Sequence, residues 1–189
     1  MSRERTLETF TSLVGIDSVS KDEGTLHQFL KEKLTELGML VTEDQSMVKT
    51  GLGSDNLLAV HDGGQNRQAL FFSCHTDTVT PGQGIQVIEK NGMLFSKGET
   101  ILGADDKAGI AILIEAMQRI KEEHIATGKI EFVFSPGEEI GLIGASALDM
   151  NLIEAPYGYV LDSALEVGRV TIASPTLYMD EVKLTGKAA

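Results

Sequence analysis

The sequence predicts an α/β fold with a mixed, largely parallel sheet flanked by helices. Short apolar runs that end in turn residues alternate along the chain with longer segments whose apolar residues recur at helical spacing. One of these segments, 102–123, is apolar nearly all round, as is typical of a helix buried against a sheet. With 189 residues, 42% of them hydrophobic, the chain can bury one sizeable core.

Apolar periodicity predicts two helices and three strands in the first half of the chain. The second helix has a leucine-rich face that ends before Gly38, and His27, which lies on it among Gln and Lys, is expected to be solvated. The predicted elements are helices over 3–15 and 24–37, short strands over 39–43 and 56–61, and an apolar strand that starts at Ala69 and ends in His75-Thr76-Asp77.

Turn residues divide the second half of the chain into further strands and helices. Asn91-Gly92 is a strong hairpin signal between two alternating runs. After the long helix, a strand ends at Pro136-Gly137 and a short helix runs to Leu148. The predicted strands of this half cover 85–89, 93–96, 129–135 and 157–161, and two further extended runs cover 167–173 and 176–185.

Charge and composition exclude several classes of function. The net charge of -12, from 16 basic and 28 acidic residues, argues against nucleic acid and anionic membranes as partners. Cys74 is the one cysteine, so no internal disulfide can form, and residues 1–10 lack an apolar signal core. No run approaches the roughly 18 apolar residues that a membrane span needs. The sequence therefore predicts a cytoplasmic protein.

Polar side chains stand where predicted strands end or where a helix begins. His75 and Asp77 are two residues apart on an extended chain, so both can lie on one face. The Asp77 carboxylate can then reach one imidazole nitrogen and leave the other free for a metal. In α/β folds the ligand site lies outside the carboxyl ends of the strands. The residues placed there are His75, Asp105, Glu138, Glu139 and Asp162.

Each of these residues also has an ordinary structural explanation. Acidic residues at a helix start satisfy free N–H groups, a Glu-Glu pair is commonly solvated, and a strand-end Asp or His is commonly a turn residue. However, one acid would be enough at the helix start, where Asp105 and Asp106 both stand and Lys107 opposes the helix dipole. Together, so many carboxylates at one sheet edge need cations.

An imidazole with several carboxylates suits a zinc-like pair of divalent ions, held about 3.5–4 Å apart by a shared carboxylate. Such a pair lowers the pKa of a bridging water towards about 7 and polarises a carbonyl oxygen. Because adjacent side chains diverge, one member of the Glu138-Glu139 pair can bind metal while the other moves a proton. The predicted reaction is metal-assisted hydrolysis of an amide bond.

The same residues resemble the motifs of the dinuclear zinc exopeptidase family. The matching strings are His75-Thr76-Asp77, Leu102 to Gly109, Pro136 to Gly141, and Asp162, and the resemblance covers essentially the whole chain. Gly-Ala-Asp-Asp-Lys-Ala-Gly and Gly-Glu-Glu-Ile-Gly-Leu-Ile-Gly-Ala are most similar to the peptidase T (tripeptide aminopeptidase) branch. The resemblance implies a short peptide as substrate and two divalent metal ions, with zinc as the first choice and cobalt or manganese as alternatives.

The resemblance also implies a role for each matching residue. The Asp105-Asp106 peptide bond would be cis, and Cys74 would pack as a small hydrophobic side chain. Among the catalytic residues, Glu138 would be the general base and Asp77 would brace His75. Among the metal ligands, His75 and Asp162 would bind one ion, Glu139 would bind the second, and Asp105 would bridge both.

Members of this family continue through a smaller lid or dimerisation domain and then return to the catalytic domain with a late His. Here no His follows His124. The sequence is interpreted as an incomplete catalytic domain over 1–175 and the first strand of a lid over 176–189, and the intact protein as a homodimer through that lid. We expect at most one tightly bound ion per 189-residue chain and negligible peptidase activity, since the second ion would have only Asp105 and Glu139.

Two other functions stay open at this point. A carboxypeptidase or an N-acyl-amino-acid amidohydrolase of the same family would use the same metal-binding motifs, because these motifs do not contact the substrate termini. A non-catalytic fragment or pseudoenzyme would keep the fold without the activity. A nucleotide-binding α/β domain is set aside because no Gly-x-x-x-x-Gly-Lys-Ser/Thr string occurs.

Overall fold

The computed structural model describes residues 2–174, 176, 178, 180 and 182–186 of the chain. The helices are α1 (Arg3–Val14), α2 (Gly24–Glu36), α3 (Met47–Thr50), α4 (Ala104–Glu122) and α5 (Ile143–Ala147), with a 3-10 turn at Met150–Leu152. The strands are β1 (Leu40–Glu43), β2 (Leu57–His61), β3 (Leu70–His75), β4 (Val87–Lys90), β5 (Met93–Ser96), β6 (Ile130–Ser135) and β7 (Gly158–Val160).

Within this described part of the chain, five strands form one mixed sheet in the order β1-β2-β6-β3-β7, and β4 and β5 form a separate hairpin. Strand β3 is parallel to both β6 and β7, whereas β2 is antiparallel to both β1 and β6. Four of the five strands, all except β2, therefore run in the same direction. The predicted α/β class with a mixed, largely parallel sheet is confirmed.

The register of β3 against β6 sets the position of the polar residues. His75, the last residue of β3, pairs with Ser135, the last residue of β6. The segments that leave the two strands therefore start side by side at one edge of the sheet. Strand β7 ends one step earlier, since Val160 pairs with Ser73, and leads into Asp162 at the same edge. This carboxyl edge holds the predicted site residues.

The core fills both faces of the central strands. In β2, Leu57 and Ala59 point to one face and Leu58 to the other, because successive strand residues alternate, and all three are buried. On the first face α1, α2 and α4 pack over Phe132 and Phe134 of β6, whose rings meet edge to face at 6.1 Å. Helix α4 contacts both α1 and β3, so its buried side anchors the site-bearing start of the helix.

The extended run predicted over 167–173 forms no strand. Residues 163–174 are described and form no strand, and side chains such as Val167 and Ile172 are almost fully exposed. A strand needs a neighbouring strand to pair with, and residues 167–173 take part in none of the strand pairs of the described chain. The second run, 176–185, lies partly outside the described residues, and those of its residues that the structure describes form no strand.

Two details near the start of the chain also differ from the predictions. Helix α3 was not predicted, because a single turn of helix is too short to show apolar periodicity. His27 is buried rather than solvated, with 2% of its surface exposed, and its Nε2 lies 2.8 Å from Thr76 Oγ1. The burial of His27 follows from the approach of the loop after β3, which the helical pattern alone does not reveal.

Candidate metal centre

Strand β3 places His75 at the centre of the carboxyl edge, with only 4% of its surface exposed. Its Nδ1 lies 2.9 Å from the backbone carbonyl oxygen of Asp77, which can only accept, so Nδ1 carries the proton. This bond fixes the ring and leaves Nε2 as the free ligand atom, 3.0 Å from Asp105 Oδ1. Asp77 thus braces His75 mainly through its carbonyl, since its carboxylate Oδ1 is 3.5 Å from Nδ1.

The Asp77 carboxylate is buried and is held by three donors. Its Oδ1 accepts a hydrogen bond from the backbone N–H of Glu138 at 2.8 Å, and its Oδ2 accepts from the N–H of Glu139 at 3.2 Å. Ser20 Oγ donates to Oδ2 at 2.6 Å. Burial acts to raise the pKa of Asp77, but these donors and His75 hold the pKa below its ordinary value. The ionised carboxylate thereby ties the loop after β6 to the loop after β3.

Asp105 stands at the start of α4, where the backbone is not yet helical, with φ -85° and ψ 108°. The peptide bond between Asp105 and Asp106 is cis, as the resemblance implied. No side chain caps this helix start, and the Asp105 carboxylate instead contacts His75. Asp105 therefore does not act as the ordinary helix cap that was considered from the sequence.

Asp106 turns inward beside Cys74, and its pKa is raised to about 7 by burial. Cys74 is itself buried, and burial together with the Asp106 carboxylate raises the pKa of the thiol. A protonated, buried thiol packs as a small apolar group, which agrees with the role that the resemblance implied for Cys74.

Glu138 and Glu139 follow β6 and turn towards different neighbours. Ligand atoms of His75, Asp105 and Glu139 lie within 4.8 Å of one another, and so do ligand atoms of His75, Glu138 and Asp162. The structure thus brings together every predicted ligand and both glutamates around one imidazole. His75 is common to both groups, and the Asp162 carboxylate also interacts with that of Asp105.

The electrostatics of the cluster favour a cation. Burial raises the pKa of Glu138, Glu139 and Asp162, and repulsion from neighbouring carboxylates raises it further, against the effect of His75. Burial acts to lower the pKa of His75, but Asp77 and Asp105 raise it to about 10. One free imidazole nitrogen with several clustered carboxylates is a donor set that divalent zinc-like ions accept, so the residues fit such ions.

Ser20 has no signal in the sequence, and Lys107, which stands in one of the matching strings, has none for its burial. Ser20 lies between two helices and far from every motif, and only the folded chain shows that it donates to Asp77. Lys107 follows the acidic pair, but it is fully buried, and its Nζ donates a 2.7 Å hydrogen bond to the Ile16 carbonyl.

Across the residues that the structure describes, no helix is long and apolar enough to cross a membrane.

Comparisons with known proteins agree with this geometry. The model of peptidase family M28 matches residues 56–158. An uncharacterised Bacillus subtilis protein, YqjE, is 45% identical over 100% of this chain and 51% of its own length. Peptidase T of Parabacteroides distasonis is 30% identical over 79% of this chain and 38% of its own length.

Among solved structures, aminopeptidase PepT from Bacillus cereus superposes with a TM-score of 0.87 at 45% identity. The match covers 89% of this chain and 45% of that one. The chain thus spans about half the length, or less, of these three relatives.

Proposed function

Because the chain belongs to peptidase family M28 and to the peptidase T branch of the zinc exopeptidases, we propose that the whole protein hydrolyses peptide bonds of short peptides at a dinuclear zinc centre. One observation carries the proposal: His75 Nε2 and the carboxylates of four acidic residues meet at the carboxyl edge of the sheet. These four residues are Asp105, Glu138, Glu139 and Asp162. Bound divalent ions would polarise the substrate carbonyl and acidify a water molecule.

The proposed roles divide the cluster between binding and proton transfer. His75 and Asp162 would hold one ion, Glu139 would hold the other, and Asp105 would serve both. Glu138 is left to take a proton from the attacking water and pass it to the leaving amine. Burial and the neighbouring carboxylates raise the pKa of Glu138, which brings this base closer to neutral pH. Asp77 keeps the backbones of both glutamates fixed through their N–H groups.

The proposed substrates are tripeptides with a free amino terminus, because the motifs resemble those of tripeptide aminopeptidases and two relatives are named peptidase T and aminopeptidase PepT. Zinc is the proposed metal, with cobalt and manganese as alternatives, and the proposed setting is the cytoplasm. We further propose that the whole protein forms a homodimer through a lid domain. The second candidate function, a carboxypeptidase or N-acyl-amino-acid amidohydrolase, would use the same cluster.

Metal titration tests the centre directly. Isothermal titration of the purified protein with Zn²⁺ should detect tight binding, and His75→Ala should abolish it, because the imidazole supplies the one nitrogen ligand of the cluster. His124→Ala is the matched control: this exposed histidine follows α4, outside the carboxyl-edge cluster, and its loss should leave binding unchanged. Equal Zn²⁺ affinity of the His75→Ala variant and the wild type would refute the centre.

A substrate panel separates the candidate activities. Unblocked tripeptides, the same peptides with an acetylated amino terminus, N-acetyl amino acids and peptides with a carboxyl-terminal glutamate are incubated with the zinc-loaded whole protein, since we expect negligible activity from the 189-residue chain itself. The tripeptide proposal expects cleavage of the unblocked peptides alone. Release of carboxyl-terminal glutamate, or hydrolysis of N-acetyl amino acids, would select the second candidate function. A protein that binds Zn²⁺ and cleaves none of them would be a non-catalytic member of the family.

A further inference from the structure

Residues 16–20, which we call the clamp segment, connect α1 to α2 and reach the candidate metal centre from behind. The segment runs beside the loop after β3 like an extra strand, with Val19 paired in parallel with Thr78. The Thr78 N–H donates to the Ser18 carbonyl at 3.0 Å, and the Ser20 N–H donates to the Thr78 carbonyl at 3.2 Å. The backbone of the loop that follows His75 is therefore fixed by the clamp segment.

The other end of the clamp segment is attached to α4. Lys107 is fully buried, and its Nζ donates a 2.7 Å hydrogen bond to the Ile16 carbonyl. Since Lys107 lies two residues after Asp105, the clamp segment connects the start of α4 with the loop after β3. Asp105, at the start of α4, contacts His75 Nε2, and Asp77, in the loop after β3, holds His75 Nδ1 through its carbonyl.

Within the clamp segment, Ser20 makes the contact that reaches the centre. Its Oγ donates to Asp77 Oδ2 at 2.6 Å, in the short range expected of a hydroxyl bonded to a carboxylate. The same carboxylate accepts from the N–H groups of Glu138 and Glu139. A chain of hydrogen bonds thus runs from a hydroxyl, through one buried carboxylate, to the backbone of the proposed base and of a proposed ligand.

We propose that Ser20 is a positioning residue of the metal centre, which orients the Asp77 carboxylate and through it Glu138 and Glu139; the inference rests on the proposed function. Without the hydroxyl, Asp77 keeps its two amide donors, but Oδ2 loses the shorter of its two hydrogen bonds and the carboxylate is held less firmly. The hydrogen bonds that Asp77 accepts from the backbone of Glu138 and Glu139 then position the loop after β6 less well, and the Glu139 carboxylate is displaced from its place in the centre. Polar groups behind metal ligands commonly change metal affinity by about 10–100-fold.

Ser18 provides a matched control in the same segment. It is fully buried, and its Oγ donates to the Thr76 carbonyl at 2.9 Å. It therefore holds the same loop as Ser20 without touching the Asp77 carboxylate. If the clamp segment only stabilises the loop, Ser18→Ala and Ser20→Ala should have the same consequences for metal binding.

The experiment uses Co²⁺ as the probe, because its visible absorption reports ligand geometry independently of activity. Wild type, Ser20→Ala, Ser18→Ala and Ser20→Thr are titrated with Co²⁺, and thermal unfolding is followed in EDTA. We expect Ser20→Ala to weaken Co²⁺ binding by about 10-fold and to change the absorption band. Ser18→Ala should lower the unfolding temperature but keep the affinity and the band, and Ser20→Thr, which retains a hydroxyl, should restore both.

Each result decides the inference. A Ser20→Ala variant with wild-type affinity and band, or one matched by Ser18→Ala, would overturn the role of Ser20 while leaving the proposed function intact. A wild-type protein that binds no Co²⁺ or Zn²⁺ would overturn the role of Ser20 and the proposed function together. Should Ser20→Ala fail to fold, Ser20→Cys replaces the hydroxyl by a weak donor of similar size and is judged by the same criteria.

Discussion

Glu138 and Glu139 show how neighbouring residues can hold different positions in one centre. Their backbone N–H groups both donate to Asp77, which fixes the chain, and their side chains then diverge. The Glu138 carboxylate groups with His75 and Asp162, whereas the Glu139 carboxylate groups with His75 and Asp105. A pair of identical residues therefore faces two halves of the cluster.

Substitution of each glutamate should separate metal binding from proton transfer. Glu139→Gln should reduce the metal content, because an amide is a poorer ligand for a divalent ion than a carboxylate. Glu138→Gln should keep the metal and lower the turnover number of the active protein by about 10² or more, because the amide cannot accept the proton. Metal analysis and kinetics of both variants check this, and the reverse pattern would exchange the two roles.

At the scale of elements, α1 is fastened to α4 by a buried carboxylate. Arg5 donates to Glu115 from Nε at 2.6 Å and from a terminal nitrogen at 2.9 Å, and the Ser2 N–H donates at 2.9 Å. The Glu115 side chain is 1% exposed, while that of Arg5 is 36% exposed. Helix α1 also brings Leu13 and Val14 into the core, so this contact supports both the packing and the start of the clamp segment.

Glu115→Gln should lower the unfolding temperature markedly, because a buried site built for a carboxylate loses its charge and one acceptor. Glu123→Gln is the control: Glu123 pairs with Arg119 at 2.6 Å, but both side chains are about half exposed, and exposed pairs contribute little. Differential scanning calorimetry of the two variants checks the contrast. A similar unfolding temperature for both would mean that the α1–α4 contact is no stronger than a surface pair.

Over the whole molecule, Asp44 joins segments that lie far apart in the chain. Its carboxylate accepts hydrogen bonds from the N–H of Ser46 at 3.0 Å and from the N–H and side-chain amide of Asn56 at 3.1 and 2.8 Å. The same Asn56 amide donates to the Gly144 carbonyl at 2.9 Å. The connection between β1 and β2 is thereby held against the segment that begins α5.

This network makes stability depend on pH. Burial acts to raise the pKa of Asp44, but the donors of Ser46 and Asn56 hold it below its ordinary value. The carboxylate therefore contributes stability above the unfolded-state pKa of about 3.9 and loses it as the pH falls through the lower folded-state pKa. Unfolding temperatures of wild type and Asp44→Asn should differ most near neutral pH and converge on acidification. Asp22→Asn, at an exposed position, is the control, and its unfolding temperature should stay close to that of the wild type at every pH. A difference in unfolding temperature between wild type and Asp44→Asn that does not change with pH would contradict the prediction.

Much of this fold was predictable because its signals are local. The leucine-rich face of α2, the Asn91-Gly92 hairpin and the apolar α4 all follow from residues close together in the chain. The position of the candidate site was also predictable, since His75 and the acidic residues stand at strand ends, and strand ends share an edge.

The rest depends on contacts between distant segments, which no local pattern encodes. His27 is buried because the loop after β3 covers it, and Ser20 contacts the site only because folding brings Asp77 within hydrogen-bond distance of its hydroxyl. Likewise, residues 167–173 have a high strand propensity but pair with no neighbouring strand in the described chain. Strand propensity shows that a segment can form a strand, but the strand forms only where a neighbouring strand is available for pairing.

The hydrogen bonds around Asp77 also fix when the centre can appear during folding. Ser20 is 57 residues from Asp77, Asp77 is 61 residues from Glu138, and Ile16 is 91 residues from Lys107. Contacts of such sequence separation require large loops to close, so we expect them to form after the local helices and the hairpin. The centre would therefore be complete only in a nearly folded chain. A metal ion would bind only to molecules in which these distant segments are already in contact.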